Sequence, residues 1–286
     1  MSLRRSIRLE IPHPDEEGCR IVGILEEGQA VVESEKKIAL ILHGSAGHKD
    51  YLFLKRLAHR LPMDSFRFDF RGNHETPGKW NQGGMDEDIQ DLNAVVAYLK
   101  TKGYRVDLIV GHSRGSLVAF RWLCTAEDAK RVSGFVNASA RYRMRKIYDA
   151  PFASEWQKGF AEKGFHIWTP TVARKVVKYT VYPEDLERFA SYDSSLVWTK
   201  FPPNTDVFTI HGLQDKTVPP YDAIIYSRAL GSRAPGTHNL HLIESGDHNF
   251  TGKQDEIVDV ILEWWEKRQR SELKTGIWWT GNQAKL

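Results

Sequence analysis

The string Gly111-His112-Ser113-Arg114-Gly115 sets a serine between two glycines, each two residues away. A serine hydroxyl attacks a carbonyl only when a base takes its proton, and the base needs an acid to orient it. The chain has 11 histidines, so position must choose the base. His43 and His211 each end an apolar run and precede a glycine, which suits a loop-shaping role. His112 adjoins the serine in sequence, so its side chain is expected to point away from the reaction. His13, His48, His59, His74 and His166 have no strand-end context in the C-terminal half. His248, in Glu244-Ser245-Gly246-Asp247-His248-Asn249-Phe250, follows the last apolar run and precedes the last helical pattern, and it fits best. In open α/β sheets, reactive groups gather at the C-terminal ends of strands.

The orienting acid should fall between serine and histidine in chain order. Asp215, in Gly212-Leu213-Gln214-Asp215-Lys216-Thr217-Val218-Pro219, does so just after a strand. Asp247 is the rival, but a sequence neighbour rarely reaches the ring nitrogen of the next residue. His43-Gly44-Ser45-Ala46-Gly47 also follows a strand, and small residues there let backbone N–H groups approach a substrate oxygen. Ser45 and Arg114, through their backbone N–H groups, are the candidate oxyanion donors. The five letters around Ser113 would also describe an ordinary glycine-flanked turn; it is the strand-to-helix setting that gives the glycines a purpose.

That setting comes from alternating apolar runs and helical patterns, the mark of a mostly parallel sheet with crossover helices. Ser6–Ile11 and Cys19–Leu25 read as an antiparallel hairpin across a turn at 12–18. Lys37–His43 is a continuous apolar run, suited to a strand buried on both faces. Further strands are expected at Phe66–Phe70, Val106–Gly111, Val132–Ala138, Asp206–His211 and Asn239–Ile243. Helices are expected at Tyr51–Leu61, Asp86–Lys100, Ser116–Cys124, Tyr221–Leu230 and Gln254–Arg268. From Arg141 to about Lys200 no strand pattern shows, and a structureless loop of that length is improbable, so a helical insertion is expected. Trp278 and Trp279 in the tail are expected to pack on the body.

Composition excludes little but points one way. With 40 Lys and Arg against 37 Asp and Glu, the net charge is +3, and the basic residues are spread out. The run Arg141, Arg143, Arg145, Lys146 is interrupted by tyrosine and methionine, so no nucleic-acid partner is expected. Cys19 and Cys124 are too few for a disulfide framework, and Cys124, in an apolar helical stretch, reads as an inert thiol. No stretch approaches a membrane span, and Met1–Arg8 has no apolar run behind its charges, so a soluble, cytoplasmic protein is expected. No phosphate loop, HExxH helix or CxxC pair is present, and no metal or cofactor is called for.

With these pieces in order, nearly the whole chain resembles the α/β-hydrolase superfamily. HGSAGHKD (His43–Asp50) is similar to the HGFxGHK opening of cinnamoyl (feruloyl) esterases, and Phe68–Asn73 to their FDFRGNGxS segment. HGLQDKTVPP and GDHNF resemble the same group's acid and histidine loops. The resemblance implies an eight-stranded, mostly parallel sheet with a helical cap inserted after strand 6. It divides the chain into a core of residues 1–140 and 201–286 and a cap of residues 141–200. It assigns the nucleophile, acid and base to Ser113, Asp215 and His248, and the oxyanion donors to the backbone of Ser45 and Arg114. Two departures concern the pocket: Ser45 stands where an aromatic residue is common, and His74 where glycine is usual. Haloalkane dehalogenases and epoxide hydrolases share the fold but carry an aspartate at the nucleophile position, which Ser113 replaces here.

The expected activity is hydrolysis of a small-molecule carboxylic ester through an acyl-enzyme. Transfer of the acyl group to another acceptor, or a ligand-binding homologue without activity, are the alternatives. Among the rings of the insertion (Tyr142, Tyr148, Phe152, Trp156, Phe160, Phe165, Trp168), most should supply its own core. Tyr142, Trp156 and Trp168 are the candidates to face substrate.

Overall fold

The structure, a computed structural model, describes residues 4–28 and 35–279. Strands β1 (Arg5–Pro12) and β2 (Arg20–Glu27) form the expected antiparallel hairpin. Then follow β3 (Lys36–Leu42), α1 (Leu54–Arg60), β4 (Asp64–Phe68), α2 (Met85–Thr101), β5 (Tyr104–His112), α3 (Arg114–Thr125) and β6 (Gly134–Ala138). The next stretch holds α4 (Ala153–Lys163), β7 (His166–Trp168), β8 (Thr171–Val172), β9 (Lys175–Val176), β10 (Tyr179–Val181) and α5 (Pro183–Ala190). The alternation resumes with β11 (Asp206–Gly212), α6 (Tyr221–Leu230), β12 (His238–Ile243), α7 (Gln254–Gln269) and β13 (Gly276–Ile277).

One sheet of nine strands runs in the order β1-β2-β4-β3-β5-β6-β11-β12-β13. All of it from β4 to β13 is parallel, and β2 joins β4 antiparallel. The apolar run of β3 is explained by burial on both faces: Ile38, Leu40 and Leu42 enter one core, while Ala39 and Ile41 enter the other. Helices α2 and α3 cover the first face with Leu92, Val95, Leu99, Leu117 and Val118. Helices α1 and α7 cover the second with Leu54, Leu57, Ile257 and Ile261. Alternating side chains of a strand point to opposite faces, so a sheet sandwiched between helices needs an unbroken apolar run.

Three expectations change. Beyond the eight expected strands, β13 adds a ninth at the edge, where the Trp278 N–H donates to the Leu240 carbonyl at 2.7 Å. A two-residue strand is too short to show a period. Trp278 is buried against Phe208, as expected of the tail, but Trp279 is 75% exposed. The stretch 141–200 is also not purely helical, since β7 pairs with β10 and β8 with β9, both antiparallel.

Candidate active site

Ser113 occupies the turn between β5 and α3 at φ 52° and ψ −117°, outside the regions a residue with a side chain normally adopts. Its N–H donates to the Ala138 carbonyl at 2.8 Å, tying the turn to the end of β6. The flanking glycines are a packing requirement. A Cβ on Gly115 would lie 2.6 Å from the carbonyl oxygens of Leu42 and His43, and one on Gly111 2.6 Å from the backbone nitrogen of Ser116. Only residues without side chains let α3 press onto the ends of β3 and β5 and lift the Ser113 hydroxyl clear.

The loops after β11 and β12 are brought together in the same way. A Cβ on Gly212 would lie 2.2 Å from the Gly246 carbonyl oxygen, so the two loops touch backbone to backbone. The N–H groups of Leu213 and Gln214 donate to the Ile243 and Gly246 carbonyls, each at 2.9 Å. Asp215 Oδ1 accepts the N–H groups of Thr217 and Val218, each at 2.8 Å, which aims Oδ2 across the gap. His248 Nδ1 meets that oxygen at 2.8 Å, and its Nε2 lies 3.0 Å from Ser113 Oγ. An ionised carboxylate only accepts, so Nδ1 carries the proton and Nε2 is free to accept from the hydroxyl. Burial pushes the Asp215 carboxyl up, but hydrogen bonds from His211 and His248 outweigh it and hold it below the usual carboxylate range. Asp247 is turned elsewhere: its Oδ1 accepts the N–H groups of Asn249 and Thr251 at 3.0 and 2.8 Å.

The remaining histidines of these loops are structural. His43 donates from Nδ1 to the Gly44 carbonyl at 2.8 Å and accepts the Phe70 N–H at 3.0 Å, stapling its loop to the end of β4. His211 donates from Nε2 to the Val218 carbonyl at 2.9 Å, with Asp215 Oδ2 at 3.2 Å. His112 does not point away: it lines the cavity and donates from Nε2 to the backbone carbonyl of His248 at 2.8 Å. Burial pushes the rings of His43 and His112 down to about 4 and about 3, so both are neutral at pH 7. The N–H groups of Ser45 and Arg114 have no acceptor among the described residues. That of Arg114 opens α3, where N–H groups lack intrahelical partners. The Arg114 side chain is committed, from Nε to Asp88 Oδ2 at 2.6 Å and from Nη1 to the Gln82 carbonyl at 2.6 Å.

A cavity of about 280 Å³ opens over Ser113, with Gly44, Ser45, Tyr51, Gln82, Arg114, His248 and Asn249 around its reactive end. Its apolar wall comes from Leu117, Val218 and residues of the 141–200 stretch, namely Ile147, Phe152, Trp156, Trp168 and Phe189. Of the three rings expected to face substrate, Trp156 and Trp168 line this cavity. Tyr142 does not, because its ring packs edge-on against Tyr226 and its hydroxyl accepts from Trp198 Nε1 at 2.8 Å. The neighbouring Arg141 turns inward instead and lines the cavity. In sequence Arg141 belongs to a basic run with a mixed surface character, yet it stands just past the end of β6, a strand-end position. The others of that run have ion-pair partners: Arg143 with the buried Asp222, Arg145 with Glu187 and Lys146 with Asp149. Of the two departures from the esterase pattern, Ser45 borders the cavity, whereas His74, at φ 46°, is exposed.

Asp69, His74 and Glu75 are close enough to hold a metal ion, but the Lys49 ammonium binds both carboxylates, 2.7 Å from Asp69 Oδ2. A cation already neutralises that cluster. Burial pushes the Cys124 thiol up to about 12, which makes it unreactive at neutral pH. Among the described residues, no helix is long and apolar enough to cross a membrane.

Comparison with known proteins places the chain in a family. The chain is 29% identical to YDL057W of Saccharomyces cerevisiae, an uncharacterized protein, over 79% of this chain and 72% of that one. Among solved structures it shares its fold with Est1E of Butyrivibrio proteoclasticus bound to ferulic acid, with a TM-score of 0.67 at 15% identity over 92% of this chain and 99% of that one. The Pyrococcus furiosus esterase Pf2001 superposes with a TM-score of 0.65 at 20% identity over 94% and 91%. A soluble variant of Saccharomyces cerevisiae monoglyceride lipase, in complex with a substrate analog, gives 0.66 at 14% over 92% and 96%. A profile of the alpha/beta hydrolase family matches residues 39–260, from β3 to α7, so every element that builds the site lies within it, and the chain belongs to that family.

Proposed function

We propose that the protein is a serine hydrolase that cleaves carboxylic esters through an acyl-enzyme. The observation that carries this reading is the unbroken hydrogen-bonded line from Asp215 through His248 to Ser113, at 2.8 and 3.0 Å, opening into a cavity. In this reading His248 Nε2 takes the Ser113 proton as Oγ attacks the ester carbonyl, and Asp215 stabilises the imidazolium that forms. The free N–H groups of Ser45 and Arg114 hold the oxyanion, each donor contributing roughly 2.7–4 kcal/mol at the transition state. His248 then protonates the leaving alcohol, and water, activated by the same ring, releases the acid.

Residues 141–200 act as a cap on a core formed by 1–140 and 201–286. Phe152, Trp156 and Trp168 then make an apolar wall suited to an aromatic or short-to-medium acyl group. The ferulic acid bound by Est1E supports an aromatic acyl group as one such substrate. Ser113→Ala should lower turnover of p-nitrophenyl butyrate by on the order of 10⁴-fold or more. Turnover equal to the wild type would remove Ser113 from the reaction.

A further inference from the structure

Three arginines are buried among the described residues: Arg67, Arg114 and Arg141. Two have carboxylate partners. Arg67 meets Glu26 at 2.6 Å and Asp50 at 2.8 Å, and Arg114 meets Asp88 at 2.6 Å. Arg141, only 3% exposed, has no carboxylate within ion-pair distance among the described residues. Its Nη2 donates to the Thr217 carbonyl at 2.5 Å, while its buried Nη1 has no hydrogen-bond partner.

The acids nearby cannot serve. Asp222 Oδ1 accepts from Arg143 Nε at 2.5 Å, and its Oδ2 from the N–H groups of Tyr142 and Arg143 at 2.9 and 3.2 Å. Both oxygens of Asp215 are taken by Thr217, Val218 and His248. A guanidinium stays charged at any physiological pH, and a buried charge without a partner is costly. The residue nonetheless borders the same cavity as Ser113 and His248, where every other cationic side chain is committed or neutral.

We propose that Arg141 binds a carboxylate carried by the substrate, so that the ester cleaved is one with a free acid group beside an apolar portion. This rests on the ester-hydrolase reading and narrows its substrate class. A guanidinium presents parallel N–H donors that match the two oxygens of a carboxylate, and a neutral ester offers neither the negative charge nor the paired oxygens. The acid could lie on the acyl or the alcohol side of the ester, and the two are separable by substrate choice.

The test compares kcat/KM for p-nitrophenyl butyrate with the mono-p-nitrophenyl esters of succinate, glutarate and adipate, and phenyl butyrate with 4-carboxyphenyl butyrate. Wild-type protein should prefer at least one charged ester over its neutral counterpart by about tenfold or more, mainly through KM, as expected of one charge-assisted pair. Arg141→Gln should erase that charged-to-neutral ratio, and Arg141→Lys should restore part of it. If Arg141→Gln does not fold, glutarate should still inhibit wild-type butyrate hydrolysis competitively, while glutaramide should not. Hydrolysis of neutral esters with no preference on either side and no inhibition by glutarate would overturn the role of Arg141 alone. Absence of any ester hydrolysis would instead strike the reading it rests on; calorimetric titration of glutarate, tight with wild type and lost in Arg141→Gln, would still uphold the carboxylate site.

Discussion

Ser113 holds a backbone conformation that costs about 1–3 kcal/mol, kept in place by its N–H bond to Ala138 and the close seating of α3. The side chains beside it are positioned by neighbouring hydrogen bonds: Thr217 and Val218 aim Asp215, and His112 holds the backbone of His248. Asp215→Asn should cut kcat for p-nitrophenyl butyrate by about 10³–10⁴-fold, because an amide can hold the imidazole in the wrong tautomer. Asp247→Asn should stay within about threefold, since that carboxylate caps a turn. The opposite ranking would move the acid role to Asp247. That Ser113, Asp215 and His248 meet was legible in the sequence because each follows an apolar run at a strand end. The directions of Arg141 and Tyr142 were not. Adjacent residues on an irregular segment face opposite ways, and no period says which one turns inward.

At the scale of elements, the site depends on backbones that touch. Gly115→Ala would set a Cβ 2.6 Å from two carbonyl oxygens at the end of β3. It should lower stability by roughly 2–3 kcal/mol, read as a shift of the urea midpoint, and reduce activity with it. An unchanged midpoint would show that α3 does not press on β3 as described. The long elements were readable because burial on one face imposes a period over many residues, as in α2, and burial on both faces an unbroken apolar run, as in β3. β8, β9 and β13, of two residues each, carry no such period, which is why they escaped notice.

The whole molecule buries several histidines in neutral form, and this should govern its behaviour in acid. Burial pushes His43 down to about 4, and His112 and His238 down to about 3, each below the ordinary value of 6.5. The unfolded chain therefore binds protons near pH 6.5 that the folded chain refuses until about pH 4 or 3. Their contribution is fully present above pH 6.5 and is lost as pH falls through that window, by roughly 1.4 kcal/mol per pH unit for each ring. Asp215, depressed in the folded state, loses its contribution only at still lower pH, below the ordinary carboxylate range. Burial pushes the Asp91 carboxyl up to about 7, which opposes the loss from one of the three rings, so urea midpoints measured from pH 8 to pH 5 should change little down to about pH 6.5 and then fall. A flat profile to pH 5 would mean that these rings are not buried uncharged.

The central claim is that Ser113 is a nucleophile activated by His248. Fluorophosphonate labelling followed by peptide mass mapping reads this without knowledge of the substrate. Wild-type protein should give one stoichiometric adduct, on Ser113, that disappears in Ser113→Ala and is slowed by orders of magnitude in His248→Ala. No adduct on folded wild-type protein, or an adduct on a different serine, would contradict it.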